Sequence, residues 1–278
     1  MGNPVFARAE AFQPHQQAWQ PQQGYPQGSP QWGAAPAGPG HDPYAAQNAP
    51  AEPVMTFDDV VAKTGVVLLT IFAIGVLTFM AVGDNLALTG GAVMLSALVG
   101  FVTVLIVSTR AKVPVAGVIA YAVIEGVFLG AFSKLFESMY PGIVVQAVLG
   151  TFCAAGVTLA AYKFFNIRVT SRFRRVVTIA TIGFAVAMLL NFVAVFFLPA
   201  GLGLRTIGAG AGWLSILCSA IGVVLAAMNL VMDFDMAEQG VRNRAPANES
   251  WRAAFGVAVT MVWLYTEILR ILSYFRSN

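Results

Sequence analysis

Beyond residue 60 the chain settles into a repeating pattern: an apolar run of roughly 20 residues, a short polar or glycine-containing break, then another run. Seven such runs lie at about 65–83, 86–107, 114–132, 142–162, 176–198, 207–232 and 252–274. The breaks read GDN, STRAKVP, SKLFESMYPG, KFFNIRVTSRFRR, LPAGLGLR and a polar loop over 233–251. A run of that length crosses ~30 Å of hydrocarbon only as a helix, because an exposed strand edge has no partner for its backbone in lipid. Pro114 suits the first turn of a helix, where a missing N–H costs nothing. Pro141-Gly142 and Pro199 stand at ends. The pattern predicts an all-α membrane protein, a seven-transmembrane-helix bundle occupying residues 56–278.

Residues 1–55 follow no such pattern. They hold nine Gln and 10 of the 14 prolines, with no helical or strand period, which predicts a disordered tail rich in Pro, Gln and Gly. No apolar segment follows a basic start, so the tail does not read as a signal peptide. Its spaced Trp19, Tyr25, Trp32 and Tyr44 are candidate contact points for protein partners. A plainly solvated tail is the simpler reading.

Composition agrees with membrane residence. Hydrophobic residues make up 58% of the chain and charged residues 10%, where a soluble domain carries about 25% charged residues. Cys153 and Cys218 both fall in apolar runs, as small hydrophobes do. His15 and His41 lie in the tail, so the membrane part has no imidazole for hydrolysis or zinc. No P-loop or dinucleotide fingerprint is present, and no lysine lies in the last run to hold retinal. The expectation is a protein that is not an enzyme, has no cofactor and binds no nucleic acid, the net charge of +3 being small and scattered.

Lys and Arg set the orientation. With seven spans, the tail and the second, fourth and sixth breaks share one side, which carries 12 of the 16 basic residues. The tail is therefore expected in the cytoplasm and the C-terminus outside. Gly126/Gly130, Gly183/Ala187 and Gly222/Ala226 repeat small residues at a spacing that lets helices approach closely, a pattern common to any bundle.

Few ionisable groups remain at depth. Glu125 lies about 17 Å along its helix from Pro114, near the midplane, with no basic neighbour on that helix. Burying such a carboxylate costs several kcal/mol, so it either holds its proton or meets a cation or a proton donor. Glu267 lies about 22 Å along from Arg252, and Arg270 follows it at i+3, where the two can pair. Asp233 and Asp235 stand at the cytoplasmic end of the sixth run, with Asn229 one turn before Asp233 on its face. Each group also has a structural reading: the aspartates as a water boundary, Glu267 and Arg270 as an ion pair.

The stretch MNLVMDFDMAEQGV, a basic loop and then WRAAFGVAVTMVWLYTEILRIL resemble the bacterial branch of the Bax inhibitor-1 family, and YAVIEGVFLGAF in the third run fits the same branch. The likeness covers about 56–278. It implies a seven-helix bundle with a cytoplasmic N-terminus and a pH-sensitive calcium leak, in which two aspartates on the sixth and seventh helices share protons and gate the pore. Asp233 matches the first. Thr260 falls near the place of the second, and Glu267 lies two turns further on the same face. Either Glu267 replaces that aspartate at another depth or the pair is absent.

Together these expectations give an acid-lined cation path. Glu125 and Glu267 lie at depth, with Asp233 and Asp235 at the mouth. Asn229 and Arg270 stand beside them, and Asp233, Glu125 and Glu267 are the candidate metal ligands for passing calcium. Partners are then the bilayer, calcium and protons. Two alternatives remain: a non-transporting regulator that binds proteins through its tail and cytoplasmic loops, and a proton-coupled calcium exchanger.

Overall fold

The structure, a computed structural model, describes residues 53–165, 169–198, 201–208 and 210–276. The expected tail, save Pro53–Met55, lies outside them. Seven helices follow one another: α1 (Phe57–Val82), α2 (Leu86–Thr109), α3 (Val115–Met139), α4 (Ile143–Phe164), α5 (Ser171–Ala194), α6 (Trp213–Arg242) and α7 (Glu249–Tyr274). All seven are long and apolar enough to span a membrane.

Local chemistry sets the helix starts. Thr56, Asn85 and Thr170 cap α1, α2 and α5, each side-chain oxygen accepting the backbone N–H three residues on. Pro114 immediately precedes α3, and Gly142, with φ of 82°, makes the left-handed turn into α4.

The sequence pattern placed the end of the sixth span at 232 and a loop over 233–251. The helix instead continues to Arg242, and the loop is short. The residues after Met232 include Met, Ala, Glu, Gln and Arg, all good helix formers, and nothing in them breaks the helix. Asp233 therefore lies about 14 Å inside the helix end rather than at it. Likewise α1 begins eight residues before the apolar run, because Thr56 and the first-turn acids Asp58 and Asp59 suit a helix N-terminus.

The central helix is the least apolar one. α7 has the lowest mean hydropathy of the seven, 1.5, yet 72% of its membrane window is buried, against 17% for α1, α2, α4 and α5. The outer helices show Leu69, Phe72, Leu95, Phe152 and Ile179 to the lipid. α7 hides its Glu, Arg and Thr side chains inside the bundle, where polar groups find partners. Ala253, Ala254 and Ala258 are fully buried and let neighbours close on it. α1 and α3 are equally close: a Cβ on Gly126 would stand 2.6 Å from Ile74 Cβ.

Two links tie the helix ends. Just before α1, Met55 N donates to Ala245 O at 2.7 Å and Ala247 N to Pro53 O at 2.8 Å, so the root of the tail is clasped antiparallel to the α6–α7 loop. Met55, expected in the tail, is buried there. Arg252 at the start of α7 is fully buried. Its guanidinium takes Glu249 at 2.7 Å and the Ala111 carbonyl beyond α2 at 2.6 Å. A cation on the last carbonyls of a helix also complements its dipole.

Candidate functional site

Three separate polar groups occupy the bundle, and the expected site residues divide among them.

The first lies between α6 and α7. Asp233 is fully buried, and Thr260 Oγ1 donates to its Oδ2 at 2.6 Å. One turn earlier on α6, Asn229 Nδ2 donates to Thr181 Oγ1 of α5 at 2.7 Å and to Leu225 O at 2.8 Å. The threonine expected near the place of a second aspartate thus does face Asp233, as a neutral donor. Glu267 does not face Asp233. It faces Gly222, where a Cβ would meet its Cδ at 2.8 Å. Gly222 lies 11 residues before Asp233, about 16 Å along α6.

The second group sits at the α6 end. Asp235 takes Arg174 Nη2 of α5 at 2.8 Å and Gln239 Nε2 at 2.6 Å. Tyr162 of α4 donates to Glu238 at 2.7 Å, and Arg242 pairs with Glu238 at 3.2 Å. The two aspartates, two residues apart on a helix, point into different surroundings, since such positions do not share a face. Asp235 is a node joining three helices.

The third group is a cavity of about 350 Å³ lined by α2, α3, α7 and Arg205 of the α5–α6 loop. Its walls are mostly aromatic and aliphatic, among them Phe101, Tyr121, Phe128 and Trp263, with Glu125, Arg205 and Arg270 as its charged members. Glu125 lies against α2 at a point where only glycine leaves room: a Cβ on Gly100 would stand 3.1 Å from its Oε1. Among the described residues no hydrogen bond or ion pair reaches the Glu125 carboxylate.

The i+3 spacing allows Glu267 to pair with Arg270. Its ion pair is instead with Arg205, which comes from the α5–α6 loop 62 residues away in sequence. Trp263 Nε1 adds a hydrogen bond at 3.3 Å, and the second carboxylate oxygen, Oε2, is buried with no partner. The i+3 spacing does put Arg270 on the right side of α7, but its Nη1 donates to the Arg205 carbonyl at 2.6 Å. Arg270 therefore braces the loop that delivers Arg205, and its own Nε is left buried and unpartnered. Two further ties hold this loop: Gly208 N to Ser273 Oγ at 3.2 Å, and Ser215 Oγ to Thr206 O at 2.8 Å. Gly208 has φ of 80° and lies against the Tyr140 hydroxyl, so no side chain fits there.

The cavity is thus not lined by acids alone: Arg205 and Arg270 line it together with Glu125. Asp233, Glu125 and Glu267 do not form a common ligand set. Among the described residues no three His, Cys, Asp or Glu side chains gather to hold a metal ion. Sequence reasoning missed Arg205, Arg174 and Tyr162. In the chain they read as loop charges and a helix-end aromatic, and only the fold brings them to their acids.

A bundle of seven apolar spans whose most polar helix packs in its interior against α1, α3, α4 and α6 defines a multi-pass integral membrane protein in contact with the lipid bilayer. The chain belongs to the Bax inhibitor 1 like family, whose profile matches residues 3–277. That match reaches into the tail, which the resemblance had left out. No curated protein matches the chain by sequence.

Proposed function

We propose that the protein is a calcium leak of a bacterial plasma membrane, with its tail in the cytoplasm and Glu125 as the acid that meets the passing cation. The observation that carries this reading is the Glu125 carboxylate, without hydrogen bond or ion pair among the described residues, in a 350 Å³ cavity about halfway along α3. An intramembrane carboxylate left in that condition is a default sign of an ion or proton pathway. Arg205, held on Glu267 at the far end of the same cavity, supplies a positive charge that would repel an entering cation, so this arrangement corresponds to a shut path. Protonation of Glu125 removes its attraction for calcium, so flux falls on acidification.

The test is calcium flux in proteoliposomes across pH, with wild type beside Glu125→Gln and Asp233→Asn. A pathway through the cavity predicts at least a tenfold loss in Glu125→Gln and loss of its pH dependence. Unchanged flux in both variants overturns the reading.

A second reading, the non-transporting regulator, draws support from the pairing of the other acids: Asp233, Asp235, Glu238 and Glu267 all have protein donors. It predicts no flux from the purified protein and a partner captured by residues 1–55. A proton-coupled exchanger would instead move calcium when only a pH gradient is imposed.

A further inference from the structure

A second hollow, of about 440 Å³, lies on the lipid side of the bundle. Its rim is exposed: Phe72 and Val76 of α1 on one side, Val145 and Phe152 of α4 on the other. Its floor is the buried Ser133 of α3 and Tyr265 of α7. The size is that of a ligand pocket, roughly 300–1,000 Å³.

Every polar side chain on its lining is already satisfied within the protein. The Ser133 and Tyr265 hydroxyls bond each other at 2.6 Å, and Thr151 Oγ1 donates to Ala147 O at 2.7 Å. The Glu137 carboxylate accepts from Gly142 N at 2.6 Å and Val144 N at 3.1 Å. A polar ligand would surrender its hydrogen bonds to water and gain none here, whereas an alkyl chain gives up nothing. The groove is also continuous with the surface that the spans present to the bilayer, so an occupant can enter sideways from the membrane.

One end of the groove carries a charge. Phe79 lines it there, and Lys134 Nζ lies 5.4 Å above that ring. Lys134 also pairs at 2.9 Å with Asp84, whose side chain is 96% exposed. So exposed a partner is well screened by water and gives way readily to a stronger anion.

We propose that this groove is a phospholipid site, with one acyl chain lying between α1 and α4 over the Ser133–Tyr265 pair and the phosphate at Lys134. The occupant is a bilayer lipid selected by shape and by one cation, and the site is independent of any ion path through the bundle.

The full chain is reconstituted in nanodiscs containing phosphatidylglycerol with a diazirine on one acyl chain, photolysed, and mapped by peptide mass spectrometry. Adducts are expected to concentrate at least fivefold on Phe72, Val76, Val148 and Phe152 relative to Ile179 and Leu190 of lipid-facing α5. Val148→Trp, which fills the groove, should remove that excess, while Leu190→Trp should not. Lys134→Ala should lower phospholipid retained in native mass spectra at least threefold. Even labelling over α1, α4 and α5 overturns the site on the wild-type chain alone, whatever the variants do. Unchanged retention in Lys134→Ala overturns the phosphate contact.

Discussion

Thr260 holds Asp233 from across the α6–α7 interface, its hydroxyl 2.6 Å from the carboxylate, with both side chains buried. A hydroxyl donates one hydrogen bond to the carboxyl group and brings no second acid to the interface. Two facing aspartates would have to share a proton to coexist. Removing the donor by Thr260→Val should destabilise the protein by about 1–3 kcal/mol, read as a lowered midpoint of thermal unfolding in detergent. Thr260→Ser, which keeps the hydroxyl, should recover most of it. A larger loss in Thr260→Ser than in Thr260→Val, which keeps the methyl group, would mean that the methyl group, not the hydrogen bond, matters.

Arg205 and Glu267 should behave as a coupled pair. Arg205→Gln leaves the fully buried Glu267 without its ion partner and should cost about 3 kcal/mol. Adding Glu267→Gln should restore much of the loss. A double-mutant cycle on unfolding midpoints gives the coupling directly, and additive effects would contradict the pairing.

Gly222 exists to leave space for that glutamate. In Gly222→Ala the added methyl group would stand 2.8 Å from the Glu267 Cδ, forcing the carboxylate off Arg205. A loss of about 1–3 kcal/mol is expected. It should vanish when Glu267 is already alanine, and its persistence there would place the clash elsewhere.

Arg252 reaches two targets at once, the Glu249 carboxylate and the carbonyls that follow α2. Arg252→Lys offers one compact ammonium in place of a planar fork and cannot span both. It should lose more than half of the stability lost in Arg252→Met, measured by the same unfolding assay. Full rescue by lysine would reduce the role of Arg252 to charge alone.

The helix count was legible because lipid leaves the backbone no other choice: each apolar run of span length has to be a helix. The end of α6 was not, since a charge beside an apolar run reads equally as the membrane boundary or as a buried polar site. Only packing against α5 and α7 decides between the two, and it puts Asp233 inside. The isolation of Glu125 could be read from its own helix, which has no basic residue near it, and no ion pair reaches it from any other described residue. The partner of Glu267 could not be read at all. A local rule favoured Arg270 at i+3, while the residue that pairs arrives from a loop whose path depends on Gly208 and on contacts with α6 and α7.

The clasp between Pro53–Met55 and the loop at Ala245–Ala247 gives the chain a mechanical consequence. Tension applied to the N-terminal segment does not reach α1 first. It is delivered to the connector between α6 and α7, the two helices whose register holds Thr260 against Asp233. Lys63 stiffens that joint, bonding Asp59 at 2.7 Å and the Ala247 carbonyl at 3.0 Å. The stretch Pro53–Met55 is thereby fastened to the connector that sets the register of α6 and α7.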